Sequence, residues 1–324
     1  MPKVKRPLRG SRAFYPRKRA KRIYPRVKNT GKLNLNEIKP LAFAAYKAGM
    51  THVILKENNP NSQLKGKHIM KAVTILDAPP ISVFGFRCYT TDENNRKISA
   101  IDIFSEKLNK NLARKLKIKP ETKLSEKLEK ISKINIIDVT LLCHTNPSFK
   151  KKPEVFEIPI NGEINKKLEY AKQILGKEIN ISDIFKEGEY VDVSAVTKGK
   201  GTEGPVKRFG IVVLGRKYQQ MQRHVGSLGT TEPGKIRPTV PAAGQLGFQT
   251  RTEFNKRILK IQNGFEIKGG FVNYGNVKNN AIILEGSVPG PAKRLIFLKY
   301  PVRLHKTKYP IEIIHISNSS NLGD

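Results

Sequence analysis

Two segments rich in lysine and arginine carry the side chains that point most clearly to a chemistry. Residues 1–28 contain twelve Lys or Arg and no acid, with Phe14, Tyr15 and Tyr24 among them. Residues 197–260 contain thirteen Lys or Arg against three Glu. Guanidinium and ammonium groups bind phosphate oxygens, and aromatic rings stack on unpaired bases. The two segments therefore predict contact with a polyanion.

The balance of charge supports the same interpretation. The chain has 324 residues, 61 of them Lys or Arg and 27 Asp or Glu, which gives a formal net charge of +34. Such a surface repels itself unless a polyanion neutralises it. This disfavours a free-standing enzyme for small neutral substrates. A membrane-spanning helix needs about 18 to 20 consecutive apolar residues, and the cleanest apolar run, 41–46, has six. Nucleic acid is the expected partner, without a membrane.

Motifs for catalysis or cofactor binding are incomplete. Residues 199–204 match the dinucleotide pattern G-x-G-x-x-G, but 205–210 do not resemble the start of a helix, and the acid expected about 20 positions later is missing. Residues 229–236 end in Ile236, where a P-loop needs a hydroxyl group for Mg²⁺. The six histidines form no H-x-x-x-H pair, and G-x-S-x-G is absent. We therefore expect no enzyme activity, no cofactor, no metal and no small-molecule substrate.

The two cysteines are expected to be structural. Cys88 and Cys143 stand in apolar segments and lack the paired spacing of zinc ligands. This is typical of buried free thiols in a reducing compartment.

The N-terminal basic segment has too few apolar residues to fold alone, so we expect residues 1–28 to be disordered in isolation. One interpretation is a solvated basic tail or an import-like cluster. The other is an arm that becomes ordered on a phosphate backbone, with its rings free to stack on bases. The interleaved aromatics and the absence of acids favour the arm.

Hydrophobic patterning predicts a mainly β protein with a mixed insertion. Runs rich in Val, Ile, Thr and aromatics predict strands at 42–55, 72–76, 81–89, 134–142, 190–196, 257–262, 277–284 and 295–298. Apolar residues at helical spacing predict helices over 104–116, 124–131 and 168–175. We assign 91–184 to an inserted α/β region.

The segment 197–256 predicts a long functional loop. It has eight Gly between 199 and 234 and weak periodicity throughout. Structureless loops beyond about 15 residues are uncommon in compact domains and usually have a function. Its glycines would let the backbone approach a negatively charged partner closely.

Many short stretches together resemble the uL3 family of large-subunit ribosomal proteins, in its archaeal and eukaryotic form. They include Tyr-Lys-Ala-Gly-Met-Thr-His at 46–52 and Ala-Gly-Gln-Leu-Gly at 243–247. The others, in the order of the family, are 9–20, 73–80, 197–201, 207–210, 251–257, 274–279 and 286–294. The matches extend over nearly the whole chain, which makes the resemblance specific.

The resemblance implies a translation-protein-type β-barrel with long basic N-terminal and central-loop extensions. We expect an N-terminal extension at 1–38, a split barrel at 39–90 and 185–303, the α/β insertion at 91–184 and a C-terminal tail at 304–324. The loop at 197–256 would project from the barrel towards the peptidyl-transferase centre.

The implied function is that of a structural constituent of the large subunit in the cytoplasmic ribosome. Its partners would be 23S-type rRNA and neighbouring large-subunit proteins. The alternative is a chromatin-like protein that compacts nucleic acid generally. On the ribosomal hypothesis, the residues expected to bind rRNA are Arg12, Arg17, Lys18, Arg19, Lys21, Arg22, Arg26, Lys198, Lys200, Lys207, Arg208, Arg216, Lys217, Arg223, Lys235, Arg237, Arg251, Lys256 and Arg257.

At the expected loop tip the chain departs from the family. Thr231 stands where family members have Trp, and Gln219 where they have His. Trp offers a large stacking face that Thr lacks. Gln245 matches a glutamine that is methylated in bacterial relatives. We expect these three residues to lie near the peptidyl-transferase centre.

Overall fold

The computed structural model describes residues 9–28, 30, 37–118, 124–132, 134–232, 234–303 and 309–320. Within these, the chain forms two compact units. The first unit contains the described residues up to Ile23 together with Val196–Arg251. The second unit contains the described residues of Tyr24–Ala195 and those from Thr252 onwards. Of the expected terminal extensions, residues 1–8, 29, 31–36, 304–308 and 321–324 lie outside the described part.

The protein is mainly β, as predicted. The strands are β1 (Ala42–Lys56), β2 (His68–Ala78), β3 (Ile81–Thr91), β4 (Lys97–Phe104), β5 (Asp138–Thr145), β6 (Glu154–Pro159), β7 (Glu178–Ile179), β8 (Tyr190–Val196), β9 (Gly199–Glu203), β10 (Gly244–Gly247), β11 (Thr250–Phe265), β12 (Val277–Glu285), β13 (Leu295–Lys299) and β14 (Glu312–Ile316). The α-helices are α1 (Leu124–Ser132), α2 (Ile164–Ile174) and α3 (Pro205–Phe209), and 3₁₀ turns occur at Arg12–Phe14, Lys110–Arg114, Ile181–Asp183 and Arg216–Met221. None of these helices is long and apolar enough to cross a membrane.

A seven-stranded sheet has the order β13-β8-β11-β12-β2-β1-β14. The strand β1 also pairs with β13, with Ala44 opposite Phe297, so six strands form a closed ring of hydrogen-bonded neighbours. The far end of β1 pairs with β14, with Val53 opposite Ile316. Because β1 has 15 residues, it is long enough to pair with β13 at one end and with β14 at the other. Closure satisfies backbone groups that an open edge would leave unpaired.

A second sheet has the order β4-β3-β5-β6, with β7 paired to β3. The strand β3 pairs along its length with β5, from Ile81 opposite Thr145 to Tyr89 opposite Asp138. The boundary predicted at residue 90 therefore separates β3 from the strands with which it pairs. The turn at Pro79 and Pro80 carries the chain from one sheet to the other.

The two sheets share one hydrophobic core. Phe43 from β1, Phe86 from β3, Leu141 from β5 and Phe297 from β13 are fully buried in the same cluster. Burying a side chain of this size contributes about 1.5–3 kcal/mol. The ring of Phe297 also meets Phe156 edge-on, with 4.9 Å between the ring centroids.

Two of the three predicted helices are confirmed, as α1 and α2. The helix predicted over 104–116 is wrong, because Phe104 ends β4 and only Lys110–Arg114 forms a 3₁₀ turn. The apolar residues of this stretch are spaced four apart because they converge on a small cluster around Phe84 and Leu112. Phe104 stacks on Phe84 with an angle of 5° between the ring planes.

The expectation for the cysteines is confirmed. Cys88 and Cys143 are free and buried. Burial raises the pKa of the Cys88 thiol to about 11, which keeps it protonated and unreactive near neutral pH.

Candidate nucleic-acid interface

The base of the long loop is a small folded structure rather than irregular chain. The strands β9 and β10 pair antiparallel, with Gln245 opposite Thr202 and Gly247 opposite Gly199. Gly247 has φ +71°, and a Cβ atom there would lie 2.0 Å from the carbonyl oxygen of Lys198. The sequence predicted that the loop glycines admit an anionic partner. At Gly247, however, the absence of a side chain allows the backbone of β10 to lie close to the backbone at Lys198.

The short helix α3 follows β9 and brings Lys207, Arg208 and Phe209 to the loop base. Pro205 occupies its first turn, and Gly210 ends it with φ +65°. The expectation that no helix follows Gly204 is therefore wrong. The helix has only five residues, and the acid that a dinucleotide site needs remains absent.

The N-terminal segment contacts this loop base within the first unit. The Ala20 amide donates a hydrogen bond of 2.8 Å to the Phe248 carbonyl. The Tyr15 ring stacks on Phe209, with 6.5 Å between centroids. The Arg19 guanidinium lies 5.1 Å from the centroid of Phe248. The prediction that residues 1–28 are disordered in isolation concerns the segment alone and stays a prediction; within the chain, the described residues 9–23 have defined contacts with the loop base. The apolar surface that this segment lacks is supplied by the rings of the loop base.

The three N-terminal aromatic rings have different environments. Tyr24 belongs to the second unit and is 7% exposed, and its hydroxyl donates to the Val155 carbonyl at 2.5 Å. Tyr15 is half-buried against Phe209, whereas Phe14 is 52% exposed. The prediction that all three rings are free to stack on bases is therefore wrong for Tyr24, which is a core residue.

Three of the predicted rRNA-binding arginines meet at the loop base. The Arg17 Cζ lies 4.5 Å from the Phe209 centroid, and the Arg208 Cζ lies 5.0 Å from the same ring. Arg251 stacks over Phe14 at 4.6 Å. Burial, and then the nearby charge of Arg17, lower the pKa of Arg208 and that of Arg251 below the ordinary arginine value. We call Arg17, Arg208 and Arg251 the arginine cluster.

The other predicted binding residues of the first unit are all exposed to solvent. Their ammonium and guanidinium groups can reach a phosphate without rearrangement of the fold. The exposed residues are Arg12, Lys18, Arg19, Lys21, Arg22, Lys198, Lys200, Lys207, Arg216, Lys217, Arg223, Lys235 and Arg237. Of these, Lys207 forms an ion pair with Glu203, with 2.5 Å between Nζ and Oε1.

The remaining three predicted binding residues belong to the second unit. Arg26 is exposed. Lys256 is half-buried and pairs with Glu253 at 2.9 Å. Arg257 is half-buried, donates to the Tyr309 carbonyl and lies over the Tyr190 ring. Lys256 and Arg257 therefore already have intramolecular partners.

The three residues predicted at the loop tip lie in different local structures. Gln219 is exposed in the 3₁₀ turn at Arg216–Met221 and has φ +45°. Thr231 is exposed, and its carbonyl accepts from the Gly234 amide at 2.8 Å. Gln245 instead lies in β10, at the loop base, where its Nε2 donates to the Gly247 carbonyl at 3.0 Å.

The rings that hold Arg17, Arg19 and Arg208 were not predicted from the sequence. Phe209 and Phe248 were not expected to take part, although each lies one or a few residues from a basic side chain. Their partners Arg17 and Arg19 are about 190 or more positions away along the chain. The local signal of these contacts is the closeness of a Phe to an Arg in Lys-Arg-Phe-Gly at 207–210 and in Phe-Gln-Thr-Arg at 248–251.

Comparison with known proteins shows the same similarity along the whole chain. The family described as "Ribosomal protein L3" matches residues 1–323. The "Large ribosomal subunit protein uL3" of Methanocaldococcus jannaschii is 46% identical over 333 aligned residues, which cover 99% of this chain and 98% of that protein. The proteins of the same name in Nanoarchaeum equitans and Pyrobaculum islandicum are 46% and 43% identical, over 94% and 98% of this chain. This chain belongs to the ribosomal protein L3 family.

Proposed function

We propose that this protein is a structural constituent of the large ribosomal subunit, bound to 23S-type rRNA in the cytoplasmic ribosome. The observation that carries the proposal is membership of the ribosomal protein L3 family over essentially the full length. A match that includes both basic segments favours an RNA-bound structural role over an RNA-modifying enzyme. Peptide-bond chemistry would then belong to the RNA.

The binding mechanism is phosphate contact with little direct reading of bases. The exposed cations of the first unit come from 12–22 and 198–237, and that unit has two acids in its described part, Glu203 and Glu232. Each phosphate that a Lys or Arg neutralises releases condensed counterions, so the affinity falls steeply with salt. Irregular segments suit the irregular cavities of folded RNA better than the regular groove of duplex DNA.

The finer architecture belongs to the same proposal. The closed ring of strands would be the family's translation-type β-barrel, and the two basic segments would be extensions that enter the rRNA. Gln219 and Thr231, both exposed in the loop, would lie near the peptidyl-transferase centre. Neighbouring large-subunit proteins would complete the set of partners.

Two measurements test the proposal. The native protein should sediment with large-subunit particles and should leave them only at high salt. In competition at fixed salt, the purified chain should prefer large-subunit rRNA to duplex DNA of equal length. Equal affinity for the two would instead indicate a general nucleic-acid compactor, and absence from ribosomal particles would contradict the proposal.

A further inference from the structure

We propose that the arginine cluster binds a single phosphate group of the RNA backbone, and that the N-terminal segment and the loop base share this one contact. The inference rests on the proposed function, because it assigns one site within the rRNA interface. The three arginines are far apart in sequence, at positions 17, 208 and 251. The site therefore exists only when residues 9–23 lie on the loop base.

No acidic side chain of the described residues neutralises the positive charge of the arginine cluster. In the described part of the chain, no salt bridge includes any member of the arginine cluster. The two described acids of the first unit are Glu203, which pairs with Lys207, and Glu232, which lies in the exposed loop. Three half-buried guanidinium groups close together repel one another. An anion that binds among them would relieve this repulsion.

Neutral groups hold the guanidinium groups of Arg208 and Arg251 in place. Arg208 donates from Nε to the Gln245 carbonyl at 3.1 Å and from Nη1 to the Ala242 carbonyl at 2.9 Å. Arg251 donates to the Thr250 carbonyl and to Gln249 Oε1, both at 2.9 Å. These acceptors orient the arginines but leave their charge uncancelled. A rigid arginine loses little conformational entropy when it binds an anion.

Among the described residues, three hydrogen-bond donors in or beside the cluster lack an acceptor. In the part of the chain that the structure describes, Arg17 Nε, Gln249 Nε2 and the Tyr15 hydroxyl are buried without a hydrogen-bond partner. Gln249 is 9% exposed, and its other amide atom already accepts from Arg251. A buried unpaired donor is costly. All three groups can donate, so the missing partner is an acceptor, which the oxygens of an anion would supply.

A phosphate fits these features better than a carboxylate group does. Its several oxygens can accept from more than one guanidinium group, and arginine matches them with paired N–H bonds. The Gly10 backbone packs against the cluster, since a Cβ atom there would lie 2.5 Å from Arg17 Nη2 and 2.9 Å from the Phe209 ring. On the proposed function, the phosphate is a phosphodiester of rRNA.

The salt dependence of rRNA binding tests whether the three arginines share one phosphate. Each independent phosphate contact contributes about 0.7–0.9 to the slope of log affinity against log salt. We expect Arg17→Gln/Arg208→Gln/Arg251→Gln to reduce the slope by the value of about one contact. The matched control, Arg216→Gln/Lys217→Gln/Arg237→Gln, removes three exposed cations of the loop and should reduce it by about three contacts.

The outcomes separate this inference from the proposed function. If the cluster variant reduced the slope as much as the control variant, or left it unchanged, the shared site would be excluded. If the wild-type chain did not bind large-subunit rRNA, the proposed function itself would fail.

A second measurement uses the folded wild-type chain, because Arg208 also holds the loop base and its loss can disturb folding. Trypsin cleavage within residues 9–23 should be severalfold slower in inorganic phosphate than in chloride of equal ionic strength. Arg251→Gln should lose this difference, whereas Arg237→Gln should keep it. Equal cleavage of the wild-type chain in the two salts would overturn the proposal.

Discussion

Lysine and arginine side chains have different partners in the two units. In the second unit, Arg87 donates to Asp102 and Glu157 at 2.6–2.7 Å, and Asp138 receives both Lys97 and Lys167. In the first unit, the arginine cluster is held by aromatic rings, carbonyl groups and one side-chain amide. The second unit neutralises much of its charge internally, whereas the first keeps its positive charge available. This difference supports the proposal that the first unit binds nucleic acid, and it does so more specifically than the net charge of the chain.

The largest expected effect separates binding from stability. Replacing 215–240 by a short glycine linker removes Arg216, Lys217, Arg223, Lys235 and Arg237 but keeps Ala242 and β10, which Arg208 contacts. We expect the salt slope of rRNA binding to fall by about four, because five phosphate contacts are lost. The melting temperature of the second unit should not change. Calorimetry and filter binding measure the two quantities, and loss of cooperative melting would contradict the division into units.

The tyrosines of the two Tyr-Pro-Arg triplets, at 15–17 and 24–26, offer a matched pair of variants. Tyr24 lies in the core of the second unit, with ring centroids 6.3 Å from Phe297 and 6.5 Å from Phe156. Tyr24→Ala should lower that unit's free energy of unfolding by about 3 kcal/mol, because it leaves a cavity. Tyr15→Ala should leave the same free energy within about 0.5 kcal/mol. Denaturant titration measures both, and equal losses would remove the contrast between the triplets.

Acid should reveal the internally paired charges of the second unit. Burial by itself raises the pKa of Asp138, but Lys97 and Lys167 bond to it and hold its pKa below the ordinary value. This group therefore stabilises the fold above the unfolded pKa of about 4, and the contribution is lost as the pH falls through the lower folded pKa.

We expect Asp138→Asn to cost about 1 kcal/mol of the free energy of unfolding at pH 7, because it leaves two ammonium groups unneutralised. The difference from wild type should begin to shrink below about pH 4 and should close as the pH falls through the lower folded pKa of Asp138, where the wild-type carboxylate is also protonated. The exposed Asp92→Asn changes the net charge equally and serves as the control. If the difference in the free energy of unfolding between Asp138→Asn and the wild type stayed constant from pH 7 to pH 3, these ion pairs would not have the proposed role.

The smallest effect is expected at the exposed end of the first unit. Thr231 is exposed in the loop, and its described hydrogen bond uses its backbone carbonyl. Thr231→Trp should therefore change thermal stability by less than about 0.5 kcal/mol and leave the affinity for rRNA within about twofold. A severe growth defect in cells carrying this substitution would show that the loop requires a small residue at this position.

Local patterning was sufficient to predict most of the second unit. The strands β1, β8 and β12 lie within one residue of their predicted ends, because their alternating or continuous apolar residues are buried. The apolar spacing predicted a helix over 104–116 wrongly, because apolar residues four apart there pack into a small hydrophobic cluster without forming a helix. The contacts of the first unit could not be predicted, because Arg17 and Phe209 meet across 192 positions. The sequence predicted the basic residues of the proposed site, but not the rings that hold three of them.

The close backbone contact at Gly247 limits how the sequence of this loop can change. Because a side chain there would overlap the Lys198 carbonyl, β9 and β10 cannot slip past one another by one position. Insertions or deletions between 210 and 243 are thereby isolated from the hairpin beneath them. The segment beyond the hairpin can therefore change in length without a shift in the register of β9 and β10, whereas its basic residues are constrained by the proposed contact with rRNA.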